Sequence, residues 1–152
     1  MVSSLRRADC ILLLSKQCIN YGKSVFSQAP IYTAAFSPDG NYLVSAGDDN
    51  RVLIWDLRNG KILKDLKGHT DTLYTTAFSA DGSLLVSGGL DNSIRVWNAE
   101  AILKQGTNAD DKYSNDSVAH LISAYSTKAT SVLEVHFSQG NLLLAAGLHE
   151  TR

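Results

Sequence analysis

A chain of 152 residues, 44% hydrophobic, with 15 acidic and 14 basic side chains, has the composition of a soluble globular protein with enough apolar material for a core. Its net charge of -1 lacks the basic footprint of direct nucleic-acid binding, and 2 prolines with 11 glycines argue against a long disordered tail. Cys10 and Cys18 match no common zinc or redox spacing, so neither a metal nor a cofactor is expected, and they suggest an intracellular protein without disulfides.

Residues 1–25 read as an atypical or truncated N-terminal segment. Arg6-Arg7 followed by Cys10-Ile11-Leu12-Leu13-Leu14 has the outline of a secretory signal, but the apolar run is shorter than the roughly 7–15 residues required. It is also too short to span a bilayer, and no later run is longer, so no membrane partner is expected. Residues 21–27 could form an outer strand leading into the regular pattern that begins at Ile31.

Strands are then predicted at 31–36, 42–46 and 51–55, with a fourth at 62–66 lying outside them, because each run is rich in β-branched, aromatic or leucine residues and is bounded by turns. Three more are predicted at 73–78, 84–88 and 93–97. Asp39-Gly40, Asp49-Asn50, Asp81-Gly82 and Asp91-Asn92 supply the turns, since Gly, Asn and Asp tolerate left-handed backbone. The two sets are copies: an offset of 42 residues superimposes 31–56 on 73–98 with 14 of 26 positions identical and no gap. Residues 100–118, with Gly106, Asn108, Asp110, Asp111, Ser114, Asn115 and Asp116, read as a solvated loop. A strand at 120–125 comes next. Runs at 132–137 and 142–146 then form a degenerate third copy, with Ala145 where the others have Ser45 and Ser87.

A period near 40–45 residues, Gly68-His69 near its start and Trp55-Asp56 at its end, resembles the WD-repeat family, with Trp97-Asn98 a departure from the closing dipeptide. The resemblance implies an all-β fold of WD-repeat β-propeller blades, each of four strands. The domain reading is a first blade over 26–67, inner strands of a second over 68–99, the loop 100–118, and over 119–152 the outer strand of the second blade with a partial C-terminal blade. Propellers close with about 4–8 blades, so two blades plus a partial third make an incomplete propeller that exposes blade faces. The chain reads as the C-terminal portion of a longer protein, a short isoform or an imperfect gene model.

His69, Ser87 and Asp91 are the side-chain types of a hydrolase triad. Trp97 argues otherwise. An indole N–H only donates, a hydroxyl and a neutral imidazole each do both, and a carboxylate only accepts, so Trp97 to Ser87 to His69 to Asp91 is a consistent donor-to-acceptor chain. In WD-repeat proteins the matching residues form such a structural network, and no nucleophile-elbow glycines or oxyanion loop accompany Ser87, so no catalytic residue is assigned. The first repeat keeps Ser45, Asp49 and Trp55 but has Ser27 in place of His69, which predicts an incomplete network. Asp48-Asp49 reads as a turn with one carboxylate exposed, His136 as a core or edge histidine, and Asp110-Asp111 as a solvated pair. No phosphate-binding glycine loop is present, so neither a nucleotide nor another small-molecule substrate is expected. Arg51, Arg58, Tyr74 and Leu90 are exposed positions open to an interface or to solvent.

The last 30 or so residues are more specific. Tyr125, Thr127, Lys128, Thr130 and Val132, then His136-Phe137, Asn141-Leu142 and Leu144-Ala145-Ala146-Gly147, resemble the closing segment of the TFIID subunit 5 family of WD-repeat TATA-binding-protein-associated factors. Asn92-Ser93-Ile94-Arg95-Val96-Trp97 resembles the SAGA-type paralogue at least as closely. The shortened stretch before Ile31 lacks that family's Gly-His turn. The resemblance implies a non-catalytic scaffold in the nucleus that docks protein subunits of a transcription complex, histone-fold subunits among them. The alternatives are an adaptor of another assembly, such as a ubiquitin ligase or signalling scaffold, and a hydrolase built on His69, Ser87 and Asp91.

Overall fold

A computed structural model of the chain describes residues 29–105 and 120–149. Among them are ten strands and one helix, in chain order β1 (Ile31–Phe36), β2 (Tyr42–Gly47), β3 (Val52–Asp56), β4 (Lys61–Leu66), β5 (Leu73–Phe78), β6 (Leu84–Gly89), β7 (Ser93–Asn98), α1 (Ala99–Gln105), β8 (Leu121–Ser126), β9 (Thr130–Phe137) and β10 (Leu143–His149). They make two four-stranded antiparallel meanders, β1-β2-β3-β4 and β5-β6-β7-β8, and a two-stranded sheet β9-β10. The expected outer strand over 21–27, both cysteines and the signal-like run lie outside the described residues.

The turns arise from side-chain chemistry. Ser37 Oγ donates to Asp39 and accepts from Tyr42 N–H at 3.0 Å, while Gly40 sits at φ 71°. Ser79, Asp81 and Gly82 repeat that arrangement, with Gly82 at φ 73°. Asn50 and Asn92 adopt φ 61° and 54° behind Asp49 and Asp91, the left-handed backbone that asparagine tolerates best among non-glycine residues.

Strand alternation splits the second sheet between two seams. Val44, Ala46, Val52 and Ile54 of the first sheet pack with Leu73, Leu85 and Trp97 of the second, and this is the main core. On the other side of the second sheet, Val86 and Ile94 pack with Val132 and Val135 of β9. Side-chain hydrogen bonds stitch the seams: Thr76 N–H donates to Thr33 Oγ1 at 3.2 Å, Thr72 Oγ1 to Asp48 at 2.9 Å, and the buried Val135 N–H to Thr75 Oγ1 at 2.9 Å.

The expectation of a solvated loop from residue 100 is corrected over 100–105, which are helical. Asn98 is the cap. Its Oδ1 accepts the Ala101 N–H at 3.0 Å, Glu100 lies in the first turn against the helix dipole, and Lys104 Nζ reaches back to Glu100. Ala99 and Ile102 insert into the main core at 0% and 2% exposure. Residues 106–118 of that expected loop lie outside the described residues.

Candidate functional site

His69 stands in the connection between β4 and β5, Ser87 on β6, Asp91 in the β6–β7 turn and Trp97 on β7. Register brings them together, because β6 and β7 place Leu85 opposite Trp97 and Ser87 opposite Arg95, so Ser87 and Trp97 share the face turned to the first sheet. His69 Nδ1 lies 2.7 Å from Asp91 Oδ2, His69 Nε2 lies 2.7 Å from Ser87 Oγ, and Trp97 Nε1 donates to Ser87 Oγ at 2.9 Å. Since the carboxylate only accepts, Nδ1 carries the proton toward Asp91, leaving Nε2 to take the Ser87 hydroxyl hydrogen. The relay runs Trp97 to Ser87 to His69 to Asp91.

Asp91 is the terminus on which donors converge. Beyond His69, its oxygens accept from Ser93 Oγ at 2.8 Å, Ser93 N at 3.1 Å and Thr70 N at 3.2 Å. Burial pushes the Asp91 carboxyl upward, but the hydrogen bonds from His69, Ser93 and the Thr70 N–H together outweigh it and hold it at about 2.

The three side chains of a triad are thus in contact, but they are sealed. Ser87 and Trp97 are 0% exposed, and the His69 and Asp91 side chains are 1% and 2% exposed. A nucleophile must reach a carbonyl carbon, and here the indole N–H occupies one Ser87 lone pair while protein covers the hydroxyl.

The first sheet holds a shorter version. Trp55 Nε1 donates to Ser45 Oγ at 2.9 Å, and Asp49 Oδ1 accepts from Arg51 N at 3.3 Å. Asp49 Oδ2, the counterpart of the oxygen that meets His69 in the second sheet, is buried without a hydrogen-bond partner among the described residues. It borders a cavity of about 10 Å³ lined by Ser45, Asp49, Arg51 and Trp55 among others, which is too small for any organic ligand.

The closing positions of the two repeats diverge. Asp56 accepts from Arg58 N and Nε at 2.9 and 3.1 Å and from Asn59 Nδ2 at 3.0 Å, and the Arg58 hydrogen bond leads the causes that lower its pKa. Its counterpart Asn98 caps α1 instead. Arg51 and Arg58, open positions by sequence, are committed within the chain. Arg51 pairs with Asp65, and Arg58 also lies 5.4 Å over the Tyr42 ring. His136 lies on β9 and lines a groove of about 630 Å³ with β1 and β5, where the Tyr32 and Tyr74 rings stand 5.4 Å apart. No sequence expectation covered this groove; the signal for it is that Tyr32 and Tyr74 are one repeat apart.

The family described as WD domain, G-beta repeat matches residues 21–56 and 60–98. The chain is 39% identical over 51 residues to the general transcriptional corepressor TUP1 of Saccharomyces cerevisiae, covering 34% of this chain and 7% of that protein. It is 49% identical over 43 residues to the intraflagellar transport protein 122 homolog of Danio rerio, covering 28% of this chain and 4% of that one. The chain therefore spans less than a tenth of these relatives' length. Among solved structures, the RRP9 WD40 repeats match with a TM-score of 0.65 at 20% identity, over 80% of this chain and 33% of that one. The structure of U3-55K matches with the same TM-score and identity, over 34% of its length. At such identity the likeness is one of fold.

Proposed function

The chain is a WD40-repeat protein, and from that premise we propose that it is a non-catalytic scaffold that docks protein subunits of a nuclear transcription complex of the TFIID or SAGA type. The observation that carries the non-catalytic part is the sealed relay: Ser87 is 0% exposed and accepts the Trp97 indole, so this triad-like constellation has no room for a substrate. A stiff frame of sheets presents loops at little ordering cost, which suits docking. The assignment to a transcription complex, and to the nucleus, rests on the resemblance of Tyr125, Thr127, Lys128, Thr130 and Val132 and of Leu144-Ala145-Ala146-Gly147 to the closing segment of TFIID subunit 5. Similarity to a corepressor points the same way.

A second reading, an adaptor of another assembly, is favoured by the spread of the relatives' names, which include intraflagellar transport and ribosome assembly. A tagged pull-down of the chain from nuclear extract, with mass spectrometry of what co-purifies, separates the two. TFIID subunits or an acetyltransferase module are the expected recovery. Exclusive recovery of ubiquitin-ligase or signalling subunits would overturn the transcription assignment, and esterase or peptidase activity abolished by Ser87→Ala would overturn the scaffold reading.

A further inference from the structure

The chain holds a single Asn-Gly pair, Asn59-Gly60, in the turn between β3 and β4. That dipeptide carries its own chemistry. Once the glycine nitrogen sheds its proton it can attack the asparagine Cγ, so that a C–N bond forms, the side-chain nitrogen leaves as ammonia, and a succinimide ring results. Water then opens the ring at either carbonyl, giving aspartate or isoaspartate. Glycine favours the attack because it has no Cβ to crowd the approach. Asp39-Gly40 and Asp81-Gly82 could close the same ring, but there the carboxyl must first take up a proton so that water can leave. Hydrogen bonds from Ser79 and Ser83 hold the Asp81 carboxyl at about 2, and at Asp39 burial pushes upward but bonds from Ser37 and Asn41 outweigh it. Asn59 needs no such proton.

Asn59 is exposed, so burial does not shield it. Hydrogen bonds restrain it instead. The Gly60 N–H donates to the Asp56 carbonyl at 2.8 Å, Asn59 Nδ2 donates to Asp56 Oδ2 at 3.0 Å, and Asn59 Oδ1 accepts the Lys61 N–H at 2.9 Å. Asp56 therefore holds both the proton that must leave and the amide that must swing round. Arg58 fixes that carboxylate in turn, donating to Oδ1 from its backbone N–H at 2.9 Å and from Nε at 3.1 Å.

We propose that Asn59 is a spontaneous deamidation site gated by Asp56: the closed turn protects it, and each opening of the β3–β4 hairpin exposes it to a reaction that does not reverse. The product keeps the turn open. A carboxylate at position 59 replaces a donor 3.0 Å from Asp56 Oδ2 with a second negative charge, and like charges at that separation repel. Isoaspartate also adds a carbon to the backbone just before Gly60, which moves the Gly60 N–H off the Asp56 carbonyl. Asp56 ends β3, where register sets it opposite Lys61, so the end of the first sheet that loosens is the one closed by Trp55-Asp56.

The test incubates the 152-residue chain at neutral pH, folded or in denaturing urea, while peptide mapping by mass spectrometry follows Asn59 against its aspartate and isoaspartate products. Loss of Asn59 is expected to be about tenfold slower in the folded chain. Asp56→Ala should speed that loss in the folded chain and leave the rate in urea unchanged. Should Asp56→Ala fail to fold, Arg58→Ala decides. Its side chain is 58% exposed, so the fold should survive, checked by circular dichroism, with Asn59 lost about threefold faster than in the wild type. Asn59→Asp, the product made directly, should raise amide exchange at Gly60 and Lys61. Equal rates with and without urea, a folded rate that neither variant changes, or a Gly60 amide as protected in Asn59→Asp as in the wild type would each overturn the proposal.

Discussion

At the scale of single residues, the relay is a buried network whose members depend on each other. Removing the His69 ring strands a Ser87 hydroxyl that is 0% exposed and takes from Asp91 its 2.7 Å donor. His69→Ala is expected to cost about 1–3 kcal/mol, read as a fall in melting temperature. Acid should erase the same contribution. The folded-state pKa of Asp91 is depressed from 3.8 to about 2, so the stability it supplies is fully present above about pH 4 and is lost as pH falls toward 2. Denaturant titrations of the wild type and Asp91→Asn should therefore differ most at neutral pH and converge near pH 2. A gap that persists at pH 2 would mean that something other than the ionised carboxylate sets the effect. The four residues of the relay were legible in the sequence because donor and acceptor capacities allow the order Trp97 to Ser87 to His69 to Asp91 and the resemblance to WD-repeat proteins implies it. The Asp49 counterpart was legible only as a gap, since Ser27 stands where a histidine would. That its outer oxygen is buried without a donor among the described residues depends on side-chain packing, which spacing does not reveal.

At the scale of elements, repeat glycines mark places where backbone meets backbone. A Cβ on Gly89 would lie 2.1 Å from the Thr72 carbonyl oxygen, and Gly47 and Gly147 show the same approach to Pro30 and Ser131. Gly89→Ala should break the register shift that joins β5 to β6 near Leu73, costing about 1–3 kcal/mol and raising amide exchange across both strands. The strands were readable because period-two patterns and Asp-Gly or Asp-Asn turns occur twice at a fixed offset. The helix was not. Asn98-Ala99-Glu100 through Lys104 carries a cap, an acidic first turn and a spaced ion pair, but the polar run beginning at Gly106 dominated the composition of the segment. Asn98 has the look of a weakened Trp-Asp signature in the sequence, whereas its side chain serves the helix.

At the scale of the whole molecule, the sheets cohere through seams and not through one central core. The seam between the second sheet and β9 combines the Val86, Ile94, Val132 and Val135 cluster with the bond from Val135 N–H to Thr75. Thr75→Val keeps the shape but removes the acceptor, leaving a buried N–H unpaired at a cost of about 1–3 kcal/mol. Hydrogen exchange should rise in β9 and β10 while β2 and β3 keep their protection. A uniform loss of protection would show that the molecule unfolds as one unit.

The stitching of the seams bears on how the chain folds. Thr33 and Thr76 are 43 residues apart, and Thr75 and Val135 are 60 apart, so each sheet is tied to the one just before it in the chain. Closing loops of such modest length costs little entropy. A nascent chain leaving the ribosome can therefore set the first sheet, lay the second upon it and add β9 and β10 last, each addition nucleated by a surface already in place.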